Sequence, residues 1–253
     1  MRLLTWLTIT AGLCGMVAAA LLFHEPSRSY ASHLADRARG GYTVEQRVQR
    51  HQHDVAMRLK PAFAAVGLAY PPYEVAYLAF KDTRRLEVYA RGARGEPWRF
   101  VKAYPVLAAS GKPGPKLKEG DLQVPEGVYR AEYLNPNSRF HLSIRLNYPN
   151  EFDRRMARND GRTRLGGDIM IHGSSVSIGC LAMGDEAAED LFILSARVSK
   201  ERTRIVVSPV DFRIPGHAAP SGGPEWAHSL YDTLRTELAR YPRGPERYAH
   251  VRH

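Results

Sequence analysis

A histidine and a cysteine with seven residues between them carry the chemistry open to this chain: His172-Gly173-Ser174-Ser175-Val176-Ser177-Ile178-Gly179-Cys180. The chain has two cysteines, and the other, Cys14, lies in an apolar N-terminal run. With that run cleaved or held in a bilayer, Cys180 has no disulfide partner. A lone thiol in an exported protein is either inert and buried or kept for its reactivity. His172 offers a base that takes the thiol proton, and the imidazolium then stabilises the thiolate, lowering the pKa of Cys180. Gly173 and Gly179 allow close backbone approach, and the N–H groups near Gly179 and Cys180 are natural donors to an oxyanion. Ser177 suits a side-chain-to-backbone bond that holds the turn.

The elements that must position this pair are legible in outline. Ile169-Met170-Ile171 reads as a short strand leading directly into the motif. Before it, strands are expected at Val75 to Phe80, Leu86 to Ala90, Trp98 to Leu107, Gly127 to Ala131 and Phe140 to Leu146, with Arg204 to Val207 after it. Gly111 to Gly120 is a Gly/Pro/Lys loop. Val48, Val55, Leu59, Phe63 and Val66 fall at helical spacing between Val44 and Val66, and Gly67 with Pro71-Pro72 stops that helix. Asp185 is expected to cap a helix whose apolar stripe is Ala187, Leu191, Leu194 and Val198. Pro224 to Tyr241 reads as a closing helix. The fold class is mixed α/β and mainly β, a strand core with packed helices preceded by an N-terminal helix.

Met1-Arg2 followed by the apolar run Leu3 to Phe23 is an export signal or a membrane anchor; both remain open. The expected organisation is 1–24 signal or anchor, 25–43 linker, 44–70 N-terminal helical segment, 71–215 catalytic domain, and 216–253 closing helix and tail. The net charge of +10 suits an anionic partner. An export signal and the lack of helix-turn-helix, zinc-finger or RNA-binding patterns exclude nucleic acid. A carboxylate-bearing wall polymer or a membrane surface remains, beside a merely soluble basic surface. Metal ligation finds no support, because His51-Gln52-His53 lacks matching partners. No phosphate or dinucleotide loop is present, so no cofactor is expected.

The motif resembles the catalytic signature of the L,D-transpeptidase (YkuD-type) domain family, in its YafK-like branch. Most members carry a second His two places before the Cys and an Arg two places after it; here those positions are Ile178 and Ala182. The resemblance extends through Gly114-Pro115-Lys116, Glu119-Gly120-Asp121, Pro125-Glu126-Gly127-Val128-Tyr129, His141-Leu142-Ser143, Tyr148-Pro149-Asn150 with Asp153, and Ala182-Met183. It covers roughly Leu59 to Tyr241. It implies a YkuD-like β-sandwich or barrel core. It also implies an envelope enzyme of the periplasm that acts on peptidoglycan stem peptides through a Cys180 thioester; a monomer is expected.

An amine acceptor makes such an enzyme a transpeptidase. Water makes it a hydrolase, and a peptidoglycan-linked lipoprotein is then a further substrate. A non-catalytic wall-binding module is the reading from another class, against which the retained Cys and His stand. Arg154, Arg155, Arg164 and Lys116 are candidate partners for substrate carboxylates, beside the alternative of solvated side chains. His141 is a candidate to orient His172 or line the cleft, or is a strand histidine with its own partner.

Overall fold

The computed structural model describes residues 40–244. The expected leader and the linker up to residue 39 lie outside them, as does the tail beyond residue 244. Four α-helices occur among the described residues, α1 (Val44–Ala65), α2 (Glu151–Asn159), α3 (Asp185–Val198) and α4 (Ala227–Leu238).

Helix α1 starts where the sequence provides a cap. Thr43 accepts from the Gln46 N–H, and the Gln46 side chain returns to the Thr43 N–H. Val55, Leu59 and Phe63, spaced four apart, are its buried face. Beyond it, Gly67 takes the left-handed conformation, φ +67°, and the chain turns toward the first strand.

The strands are β1 (Glu74–Phe80), β2 (Arg85–Arg91), β3 (Arg99–Pro105), β4 (Ala108–Ala109), β5 (Gly127–Ser138), β6 (His141–Leu146), β7 (Met170–His172), β8 (Leu181–Ala182) and β9 (Thr203–Ser208). They form one curled sheet in the order β3-β2-β1-β9-β5-β6-β7-β8-β4. Two pairings are parallel, β1 with β9 and β7 with β8. Strand β5 spans both halves: Gly127 to Arg130 pair with β9, and Ala131 to Ser138 pair with β6. Register shifts between Ala131 and Tyr133 and between Asn135 and Ser138 bend it.

The sheet is covered on both faces, which explains why β1 is apolar nearly throughout rather than alternating. Val75, Tyr77 and Ala79 join a core with Leu59 and Phe63 of α1 and Leu191 and Leu194 of α3. Ala76, Leu78 and Phe80 point the other way, into a core with Leu230, Leu234 and Leu238 of α4. Burying each such leucine contributes about 1.5–3 kcal/mol.

A buried ion pair fastens the Gly/Pro/Lys loop to this frame. Lys81 Nζ lies 3.0 Å from Glu126 Oε1, with both side chains almost wholly buried. The ammonium also donates to the carbonyls of Gly114 and Val124, and Tyr231 of α4 donates to Glu126 Oε2. Lys81→Met leaves the Glu126 carboxylate buried without its cation. It should lower unfolding free energy by about 3–5 kcal/mol in a urea titration.

The structure departs from the sequence reading at several elements, among them the two-residue strands β4 and β8, which the reading lacks. Helix α2 has no counterpart among the expected elements. Gly184, not Asp185, is the cap residue of α3, with φ +78° and no side-chain cap bond. Strand β5 runs seven residues past Ala131, to Ser138.

Candidate active site

Three strands hold His172 and the residues that follow Cys180 on adjacent backbone. His172 ends β7, held on one side by the antiparallel β6 (Ser143 opposite His172) and on the other by the parallel β8 (His172 opposite Ala182). Cys180 directly precedes β8, two residues from Ala182. The connecting loop, 173–180, is pinned at its base: Met183 N–H donates to the His172 carbonyl at 2.8 Å and Gly184 N–H to the Ser174 carbonyl at 2.9 Å. Asp185 Oδ1 accepts the Ser174 N–H at 2.8 Å, so this side chain anchors the motif loop instead of capping α3. Gly173 has no room for a side chain. A Cβ there would lie 2.5 Å from Asp185 Oδ1 and 2.8 Å from the Phe140 carbonyl.

His172 is buried, and its Nδ1 lies 2.6 Å from the Gly173 carbonyl oxygen. A carbonyl only accepts, so Nδ1 carries the proton and Nε2 presents a lone pair. The Phe140 ring stacks on the imidazole, centroids 4.7 Å apart, and fixes its plane. Burial pushes the His172 pKa down, and the bond to Gly173 opposes this in part. The ring is thus a neutral base at pH 7.

Cys180 is half-buried, and its thiol donates to the Asp168 carbonyl at 3.6 Å. Burial pushes its pKa up; a backbone hydrogen bond at Met170 and the Lys116 charge oppose this, and the Asp168 charge adds to it. Both shifts favour the neutral forms, the thiol at Cys180 and the imidazole at His172. This corrects the expectation of a depressed thiol pKa. Desolvation of the sulfur outweighs the Lys116 charge and the backbone bond at Met170.

The backbone amides also differ from expectation. Ser177 Oγ accepts the Cys180 N–H at 3.0 Å and donates to the Cys180 carbonyl at 2.6 Å. Gly179, at φ +88°, donates its N–H to Ser110 Oγ at 2.5 Å, and Ser110 donates in turn to the Leu122 carbonyl. Both amides read as oxyanion donors are thus occupied by hydroxyls. Ser177→Ala removes two bonds from the backbone of Cys180 and leaves a donor unmatched. It should cost about 1–3 kcal/mol of stability, read as a lower urea midpoint. Turnover should fall with it, because the thiol loses its fixed position.

A cleft opens beside Gly179, lined by Lys116, Glu119, Leu122, Asp168, Ile169 and Ile178 among others. Ile178 is 82% exposed and Leu122 52% exposed. The cleft rim is therefore apolar as well as charged. Lys116 stands in this cleft, but its ammonium is held by Asp121 Oδ1 at 2.5 Å and the Lys118 carbonyl at 2.9 Å. Arg164 pairs with Glu119 at 3.0 Å at the cleft edge, both exposed. Arg154 and Arg155 are exposed on α2, with Arg155 over the Phe152 ring, and do not line the cleft. His141 takes φ +67° and places Nε2 2.9 Å from Glu189 Oε1; its Cβ packs beside Gly173.

Sequence reasoning missed Ser110, Phe140 and Asp168 at the site. Phe140 and Asp168 carry no local signal beyond their neighbours. Ser110 lies 69 residues from the amide it holds.

Residues 75–207 match the model of one protein family, the YkuD L,D-transpeptidase catalytic domain. The chain is 36% identical over 115 residues to YafK of Escherichia coli (strain K12), whose name assigns it provisionally to the L,D-transpeptidases. That match covers 45% of this chain and 44% of YafK, so it spans less than half the length of the relative. Among solved structures, Bd1075 of Bdellovibrio bacteriovorus matches at 22% identity with a TM-score of 0.41, over 68% of this chain and 56% of the other. The helical cell shape determining protein Pgp2 of Campylobacter jejuni matches at 16% identity with a TM-score of 0.42, over 72% and 77%.

Proposed function

Because the chain belongs to the YkuD L,D-transpeptidase catalytic domain family, a family of peptidoglycan enzymes, we propose that it transfers acyl groups between peptidoglycan stem peptides through a thioester on Cys180. The observation that supports this most is the His172 tautomer. Nδ1–H is spent on the Gly173 carbonyl, so Nε2 is the nitrogen whose lone pair is left for proton transfer with Cys180.

In this reading a donor stem peptide enters the cleft beside Gly179 with its amide carbonyl over Sγ. His172 Nε2 takes the thiol proton as sulfur attacks carbon, so the charge pair forms during attack and not before it. The carbonyl oxygen becomes an oxyanion and takes the Gly179 N–H in place of Ser110 Oγ. His172 then gives its proton to the leaving amine, and the thioester remains. An incoming amine loses its proton to Nε2 and takes the acyl group, which restores the thiol. Lys116 supplies positive charge at the cleft for the stem-peptide carboxylates by exchanging its bond to Asp121 for one to substrate. The proposal places the chain in the cell envelope, where this polymer lies.

The test is digestion of defined muropeptides by the purified chain, with and without an amine acceptor. Cross-linked or exchanged product that depends on the acceptor is the expected result. Cleavage that ignores the acceptor makes the enzyme a hydrolase of the same fold. No product under either condition removes the catalytic reading and leaves a wall-binding module.

A further inference from the structure

Behind the candidate active site, three side chains from three separate elements converge on one oxygen atom. His141 Nε2, at the start of β6, is 2.9 Å from Glu189 Oε1 of α3. His51 Nδ1, from α1, is 3.2 Å from the same oxygen. One nitrogen or oxygen from each residue lies within 4.8 Å of the other two. The side chains are 12–18% exposed, so a small ion has access and the ligands are largely shielded from water. The two imidazole rings are edge to face, centroids 5.5 Å apart. They turn nitrogens, not ring faces, toward the carboxylate.

The carboxylate is itself held in place. Arg58 Nη2 binds Glu189 Oε2 at 3.1 Å, while Arg58 Nε binds Asp190 Oδ1 at 2.7 Å. Oε2 is therefore spoken for, and Oε1 is the oxygen left to face the histidines. That geometry suits one monodentate carboxylate ligand. Ligands about 2.0–2.2 Å from a tetrahedral zinc ion lie roughly 3.4 Å from one another. The 2.9 and 3.2 Å separations to Oε1 widen slightly to admit an ion, and the two nitrogens, within 4.8 Å of each other, close on it. Two imidazoles and one carboxylate are a donor set for zinc and its first-row neighbours, not for magnesium or calcium.

We propose that His51, His141 and Glu189 form a binding site for one divalent transition-metal ion of the zinc class, with water completing the coordination. Each histidine binds through the nitrogen that now faces Oε1, with its ring proton on the other nitrogen. Arg58 is the outer partner that orients the carboxylate. The bound ion joins α1 to β6 and α3. His141 is next to Phe140, whose ring covers His172, so the ion braces the strand that enters the active site. The site is independent of Cys180 and does not require the acyl-transfer reading to be correct.

The test is titration of the purified full chain with Co²⁺, followed by Zn²⁺ displacement. The proposal requires one Co²⁺ per chain, visible ligand-field bands without a thiolate-to-cobalt charge-transfer band, and loss of those bands on adding Zn²⁺. The spectrum should persist in Cys180→Ala and be lost in His51→Gln and His141→Asn. Zn²⁺ should raise the melting temperature of the parent and leave that of His51→Gln unchanged. Asn tolerates the left-handed backbone of His141, and Gln is a good helix former at His51. If circular dichroism shows that His141→Asn is unfolded, His51→Gln alone decides. Absence of saturable Co²⁺ binding, a thiolate band, or binding that survives in His51→Gln overturns the site.

Discussion

Cys180→Ala abolishes turnover, with the rate on a defined muropeptide falling about 10⁴-fold or more, while the urea midpoint stays near that of the parent chain. The two expectations separate because the thiol does little structural work. Its side chain is half-buried, and its hydrogen bond is a long sulfur contact of 3.6 Å to the Asp168 carbonyl. The turn around it is held by Ser177 and Ser110, which the substitution leaves in place. Mass spectrometry of the parent with substrate should show an acyl adduct on the Cys180 peptide, and the alanine variant should show none. An alanine variant that works at the parent rate removes the thioester from the mechanism.

His172→Ala lowers the rate by about 10³–10⁴-fold, and the pH dependence identifies why. Burial depresses the His172 pKa below the ordinary value of about 6.5. The ring is therefore an unprotonated base throughout the neutral range, and kcat/KM should fall only on its acidic side. Burial raises the Cys180 pKa above the ordinary thiol value of about 8.5. Iodoacetamide labelling of the resting chain should show a midpoint above that value, and His172→Ala should leave the midpoint nearly where it is. A parent midpoint below about 8.5 that rises in His172→Ala would restore the preformed ion pair.

The same shifts bear on stability. A depressed histidine contributes stability that is present above about pH 6.5 and lost as pH falls. A raised thiol contributes stability that is present below about pH 8.5 and lost as pH rises. Urea midpoints should reflect the sum, with the contribution of this pair greatest between those limits.

The chemistry of the site was more legible in the sequence than its electrostatics. Cys180, His172 and the glycines announce themselves because nucleophile, base and turn must lie close in sequence when one short loop joins two strands. The burial of His172 depends on tertiary neighbours such as the Phe140 ring, and no local pattern reports it. Hence the expected direction of the thiol pKa was reversed by burial. Most strands were legible because both faces are apolar or alternate cleanly. Helix α2 was not, although Asn150 and Asp153 form a reciprocal cap at its start. Its arginines mask that signal, since only Met156 and Ala157 are buried. His51 gave no sign of ligand character, because Glu189 and His141 reach it only through tertiary packing.

The place of β9 in the sheet constrains how this chain is made. Thr203 to Ser208 lie between β1 and β5, pairing parallel with β1 and antiparallel with β5. A nascent chain that stops short of Thr203 has two unpaired strand edges at the middle of the sheet and cannot close the two halves. The β1–β9 contact joins residues far apart in sequence, so assembly is slow relative to local helix formation. The sheet therefore closes only after the chain has been synthesised through Ser208. Until then it is an extended substrate for whatever machinery handles unfolded chains, and the same open edges make an interrupted product prone to aggregation.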